Sequence, residues 1–151
     1  VSNMNVRKFR GKAANDVRCM MRDEILWKKG DWVYGNLVKG TPDWWIVGDV
    51  VEYYPEGIVH EWRCRVDPIT VGQAIGIKDD EDVEIYEDDF LLYSGASEYR
   101  GIEGITRIER DPSTGYYPFT FLHEWNASLS KSEVIGNIHD NPEITQVHIS
   151  S

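Results

Sequence analysis

The densest run of chemically capable side chains is "DDEDVEIYEDD", Asp79 to Asp89, in which eight of eleven residues are carboxylic acids. Carboxylates at this density can hold a divalent cation, work as an acid/base pair, or imitate a nucleic-acid backbone. A calcium loop of the EF-hand kind needs oxygens at alternate positions, a glycine at the sixth and a glutamate at the twelfth. Counted from Asp79, the fifth residue is Val83 and the sixth Glu84, so that loop does not fit. Acid/base work needs a carboxyl that is buried or oriented, and no motif around the segment supplies this. What remains is a solvated turn leading into a strand, with an acidic decoy for a nucleic-acid site as the sharper alternative.

The other reactive residue types are scattered. His60, His123, His139 and His148 show no H-x-x-x-H, H-E-x-x-H or Cys/His ligand spacing. Cys19 and Cys64 form no C-x-x-C pair. There is no nucleophile elbow, Walker loop or dinucleotide fingerprint. The stretch Gly72 to Gly76 is glycine-spaced but lacks the lysine and third glycine of a phosphate loop. No catalytic, cofactor-binding or metal-ligating residue is therefore assigned, and the sequence favours a protein that is not an enzyme. The six tryptophans can form a stacking surface or a core with an oligomer interface, and the second reading is preferred. Trp44 and Trp45 are adjacent, so in a strand they point to opposite faces, which leaves at least one of them free to be exposed.

Charge narrows the partners. The chain of 151 residues carries a net charge of −10. Residues 1–30 hold eight Lys/Arg against three Asp/Glu; residues 31–151 hold eight against twenty-three. An acidic body repels phosphate, so a nucleic-acid role would fall to the N-terminal arm, with Arg7, Lys8, Arg10, Lys12 and Arg18 beside an aromatic face. Pairing of these cations with the acidic body is preferred, which makes nucleic acid the secondary reading. No apolar run crosses a bilayer, no export signal is visible, and the two thiols are isolated; a cytoplasmic protein is expected.

The elements that must position these residues read as strands. Val, Ile, Trp and Tyr are plentiful, and turn signals recur every eight to twelve residues. "EILW-KKGD-WVYGN" has the form of a hairpin. Gly48-Asp49 marks a turn or bulge, and Pro55-Glu56-Gly57 a break. In "IVHEWRCRV", Ile58, His60, Trp62, Cys64 and Val66 share one parity and should face the core. "DPIT" suggests a single helical turn before a strand, and "HEWNASLSKSEV" is the one stretch able to form a short helix. The expected fold is all-β: a small SH3-like barrel or sandwich of short antiparallel strands, one domain over 1–151 with a smaller subdomain around 94–133.

Several ordered blocks resemble one known family. "VRKFRGKA", "GDWVYGNLVKG", "WWIVGD", "VDPITVGQAIGIKD", "VEIYEDDFLLY" and "VIGNIHDNPEI" are similar, in that order, to the YopX family of phage and prophage proteins. The resemblance runs from about Val6 to Ile144. It implies an all-β core in the cytoplasm of a bacterial host, and it carries over no catalytic residue. In the family pattern a glycine tends to stand where this chain has Asp88, and an Asn-Gly turn where this chain has "DEDV". Asp accepts the left-handed backbone at a cost, so a longer or looser loop is expected here. The function expected is protein–protein binding or homo-oligomer assembly, with a host or phage protein as the other partner class; the alternative is a nucleic-acid-binding barrel. The block "EVIGNIHDNPEI" should place Val134–Ile138 as a strand docked on the barrel, with Asn137 or Asp140 securing the turn before Pro142.

Overall fold

A computed structural model describes residues 9–19, 24–95, 102–111, 115–117, 129–144 and 147–150. The chain divides into two compact units, Val1–Gln73 and Ala74–Ser151. The segment 94–133 falls inside the second unit. Every ladder is antiparallel, and the described residues contain no α-helix.

The first unit carries β1 (Phe9–Lys12), β2 (Val17–Cys19), β3 (Glu24–Trp27), β4 (Trp32–Lys39), β5 (Trp44–Val47), β6 (Val50–Tyr54), β7 (Gly57–His60), β8 (Arg63–Val66) and the start of β9 (Gly72–Lys78). Its ladder runs β9-β1-β4-β5-β8. It then closes on itself. Ala13 bridges Val66, the Ala14 amide donates to the Arg65 carbonyl at 2.8 Å, and the Asp67 amide donates to the Lys12 carbonyl at 2.9 Å. Closure removes the free edges that an open sheet would expose. Pro68–Thr70 is one turn of 3-10 helix, capped by the Asp67 side chain and placed between the last two strands as in an SH3-like barrel. The expected helical turn at "DPIT" is therefore present, and the barrel alternative describes this unit.

Ala13, Val33, Ile46, Cys64 and Val66 are buried at the barrel centre, ringed by Phe9, Val17, Trp27, Leu37, Trp44, Trp62 and Val71. The predicted parity holds from Trp62 to Val66: Cys64 and Val66 are buried, Arg63 and Arg65 are not. It fails at Ile58, which is 57% exposed because β7 has left the barrel. Trp62 lies 4.8 Å from Trp27 between ring centres. Two glycines make room for it. A β-carbon on Gly35 would come 2.5 Å from the Val47 carbonyl and 2.9 Å from Trp62, and one on Gly48 would come 2.6 Å from the Trp62 ring nitrogen.

The expected hairpin between "EILW" and "WVYGN" is not formed. The turn is real, with Gly30 in the left-handed region and the Asp31 amide bonded to the Lys28 carbonyl. However, β3 pairs with β2, while β4 pairs with β1 and β5. A turn signal reports a reversal, whereas strand partners are set by which ladder buries Val33 and Ile46.

The second unit takes β9 from Ala74 onward, β10 (Glu84–Tyr86), β11 (Asp89–Gly95), β12 (Ile102–Arg107), β13 (Glu109–Asp111), β14 (Gly115–Tyr117), β15 (Leu129–Asn137) and β16 (Val147–Ser150). Four strands form a sheet in the order β15-β11-β12-β16; β10 pairs with β9, and β13 with β14. Ile85, Leu91, Tyr93 and Ile108 are its buried core, with Ile75 and Val134 packed against them. The short helix expected in "HEWNASLSKSEV" gives way from Leu129 to β15, because Val134 and its neighbours pair with Leu91 along β11. Residues 118–128 lie outside the described residues.

The C-terminal block forms a docked strand, but it pairs with β11 in the four-stranded sheet of the second unit rather than docking on the barrel, and it ends at Asn137. Val134–Asn137 belong to β15, and Asn137 secures the following turn. Its side-chain oxygen accepts from the His139 and Asp140 amides at 3.0 and 2.9 Å, and its side-chain amide donates to Asp140 at 3.1 Å.

Candidate functional site: an exposed apolar arm and a basic cleft

The acidic segment resolves into structural roles, all within the second unit. Asp79 is buried rather than solvated. One of its carboxylate oxygens accepts from the Glu81 and Val83 amides, each at 2.9 Å, and the other accepts from the Val134 amide at 2.8 Å. The Asp79 amide in turn donates to the Val83 carbonyl at 2.8 Å, which closes the hairpin tightly. The expected longer or looser loop is thus corrected: the carboxylate of Asp79 supplies the order that a glycine turn would otherwise give. Asp80 accepts from the Ser132 amide at 2.9 Å. Asp89 is 1% exposed and accepts from the Tyr86 amide at 2.8 Å. Asp88 has φ of 71°, the left-handed backbone expected of a residue standing in a glycine position. Its carboxylate takes two bonds from Arg107, at 2.7 and 3.0 Å, and lies 3.7 Å from the His139 ring nitrogen. Only Asp80, Glu81 and Asp82 are solvated turn acids in the sense expected.

Among the described residues, the other singled-out side chains do not converge on a reaction centre. The His60 ring contacts the Gly48 carbonyl at 3.0 Å, and His123 lies outside the described residues. Among the described residues no three His, Cys, Asp or Glu are grouped as a metal ion would need. Cys64 is a buried free thiol whose pKa burial raises to about 11, so at neutral pH it holds its proton and is a poor nucleophile.

Of the N-terminal cations, Arg7 and Lys8 lie outside the described residues. Arg10 is buried, with its guanidinium 4.5 Å from the centre of the Trp32 ring, and the Lys12 ammonium lies 5.3 Å from the same ring. Arg18 sits on β2 opposite Ile25. On other faces Lys39 lies over Trp44 at 4.7 Å and Arg63 over Trp45 at 5.4 Å. Both members of the Trp44-Trp45 pair are half-buried, so neither is the freely exposed ring expected. The rings are occupied by the protein's own cations, which covers them and holds the barrel strands in register.

Two surface features remain, both on the first unit. The first is the β6–β7 hairpin, an arm that continues from β5 and β8 through Gly48-Asp49 and Glu61-Trp62. It turns at Pro55-Glu56, the predicted break. Within it Val51 is 55% exposed, Tyr53 78%, Tyr54 53%, Ile58 57% and Val59 42%. Tyr53 pairs with Ile58 on one face, and Glu52 with Val59 on the other, so apolar side chains stand open on both faces, with the Glu52 carboxylate beside Val59 on the second. The Tyr54 hydroxyl bonds the Glu52 carboxylate, which pushes that phenol above its usual pKa, with a smaller contribution from desolvation. The sequence reading passed over this arm because Val, Tyr and Ile there look like core; the missed signal is two such runs flanking Pro-Glu-Gly with no polar face to turn outward.

The second feature is a cleft of about 400 Å3 lined by Ala13, Ala14 and Gly30 together with Lys12, Lys29, Asp43, Arg65 and Asp67. Arg65 and Asp43 approach to 3.7 Å. The 3-10 turn stiffens one wall: Thr70 accepts from the Lys12 amide at 2.8 Å and donates to the Asp67 carbonyl at 2.7 Å. Ile69, next to Pro68 in the 3-10 turn, is 80% exposed.

A family model described as "YopX protein" matches residues 48–146. No curated protein and no solved structure matches the chain. No helix among the described residues is long and apolar enough to cross a membrane.

Proposed function

The chain belongs to the YopX family, and from that premise we propose that it is a non-enzymatic binding protein of phage or prophage origin, acting in the host cytoplasm through contact with another protein chain. The observation that carries the reading is the arm. Five large apolar side chains stand exposed within nine residues, from Val51 to Val59, on a two-stranded ribbon that pairs with no other strand among the described residues. A hairpin alone in water is marginal, and apolar ribbon edges attract strands or apolar faces of other chains. Function by contact is also consistent with the tight structural use of the acids Asp79, Asp88 and Asp89.

The nucleic-acid alternative loses ground on one point. Arg10, central to the basic arm, is buried against Trp32. A photoreactive phenylalanine analogue at Tyr53, irradiated in cells that produce the protein, tests the proposal. A covalent product with a protein, whether a second copy or another chain, is expected. Crosslinks at an exposed control site such as Glu81 but none at Tyr53 would refute it.

A further inference from the structure

We infer that the arm of one copy seats in the Lys12–Lys29–Arg65 cleft of a second copy, so that the protein assembles head to tail. The inference rests on the arm being a protein-binding surface and names its partner. Three observations carry it, all from the first unit.

The first is charge. Between Gly48 and Trp62 the arm and its base hold Asp49, Glu52, Glu56 and Glu61 and no lysine or arginine. The cleft presents Lys12, Lys29 and Arg65 against Asp43 and Asp67, with Asp43 paired to Arg65, which leaves it net positive. The first unit as a whole is nearly neutral, with eleven Lys/Arg against ten Asp/Glu, whereas the second holds five against sixteen. The basic cleft is therefore a local match for an acidic arm in a chain that otherwise repels its own copies.

The second is apolar content. The cleft is lined in part by Ala13, Ala14, Gly30, Val66 and Pro68, and its volume lies in the range that takes a large side chain. The arm offers Tyr53 and Tyr54 next to its tip. An aromatic anchor ringed by charge pairs is the usual make-up of a contact that carries most of an interface's energy.

The third is position. The arm leaves the barrel after Val47 and returns before Arg63. The cleft is built by Asp43, Arg65, Val66 and Asp67, at the other end of the same β5–β8 ladder. The arm thus points away from the cleft of its own barrel, and the ligand must come from elsewhere. A contact between two different patches is heterologous, and repetition of it gives a ring or a filament rather than a closed two-fold dimer.

Analytical ultracentrifugation of full-length protein tests this. Wild type is expected to assemble beyond a dimer as concentration rises, and less so in high salt. An arm variant, Tyr53→Ser with Ile58→Ser, and a cleft variant, Lys12→Glu with Lys29→Glu, should each be monomeric, with self-affinity weakened about thirty-fold or more. Mixed, the two variants should form a 1:1 heterodimer and stop, because one intact arm meets one intact cleft. Lys29→Glu alone, at an exposed position whose backbone amide bonds Asp16, guards against misfolding of the double variant and should weaken assembly in the same direction. A cleft variant that assembles like wild type means arm meets arm and overturns the inference. A mixture that stays monomeric, or a monomeric wild type, also overturns it. None of these three outcomes touches the photocrosslinking result, whereas an arm variant that assembles like wild type would count against the arm itself.

Discussion

Replacing Asp79 with alanine removes the acceptor for three backbone amides at once. The bond from Val134 spans 55 positions in sequence and lies between strands, where water does not readily replace it. A hydrogen bond to a charged group of this kind contributes about 2 kcal/mol. The Glu81 and Val83 amides belong to a solvent-facing turn and can be partly rehydrated, so about 1 kcal/mol each is an upper figure. The expected loss is about 3–4 kcal/mol. With a urea dependence of about 1.5–2 kcal/mol per molar, the unfolding midpoint of the second unit should fall by about 2 M. Five of the six tryptophans lie before Ala74, so intrinsic fluorescence follows the first unit. Far-UV circular dichroism, together with hydrogen exchange at the Val134 amide, follows the second. Asp79→Asn is the informative companion. Its one carbonyl oxygen can serve the turn, but its NH2 then faces the Val134 N–H, so it should recover less than half of the loss. Glu81→Ala, on the same turn but exposed, should stay within about 0.5 kcal/mol of wild type. If Asp79→Ala left both the midpoint and the Val134 exchange rate unchanged, the carboxylate would not be holding the turn to β15.

Two further outcomes are expected. Asn137→Ala, which strips the acceptor from the His139 and Asp140 amides, should destabilise by about 1–2 kcal/mol; faster exchange confined to the Ile138–Asn141 turn would confirm where the loss acts, and unchanged exchange would refute it. Cys64 should resist an aromatic disulfide reagent at pH 8 in the native protein and react in urea. Because its folded pKa is raised from 9.0 to about 11, the unfolded state loses that proton first, and this contribution to stability is whole below pH 9 and declines toward pH 11. Fast native labelling of Cys64 would contradict its burial.

Local chemistry was legible wherever the cause is local. Pro55-Glu56-Gly57 turns the chain, Pro68 opens the 3-10 turn, and Asn137 caps its own turn. Each depends on residues within four positions. The misreadings share a different origin. Asp79 looks like any surface acid until Val134 arrives from 55 positions away. The turn at Lys28–Asp31 looks like a hairpin until β1 claims β4. The arm reads as core because composition cannot say whether a Val-Tyr run is covered. Of the candidate site, the sequence displayed the basic residues of the N-terminal stretch, but the cleft needs Arg65 and Asp67 from β8 and its exit, and only barrel closure brings them to Lys12.

That closure also sets a clock on synthesis. Ala13 meets Val66, and Phe9 and Arg10 meet Gln73 and Gly72, so the first strand waits for nearly the last. At ordinary elongation rates of about 5–20 residues per second, the chain spends roughly 3–11 s between making Lys12 and making Val66. During that interval β1, β4 and β5 can pair, but Val33 and Ile46 lack the cover of β8. The nascent chain is then an open three-stranded sheet rich in tryptophan, in a cell crowded with other nascent chains. A protein built this way should depend on ribosome-bound chaperones for its yield more than its finished stability would suggest, and slowing translation should lower the soluble fraction rather than raise it.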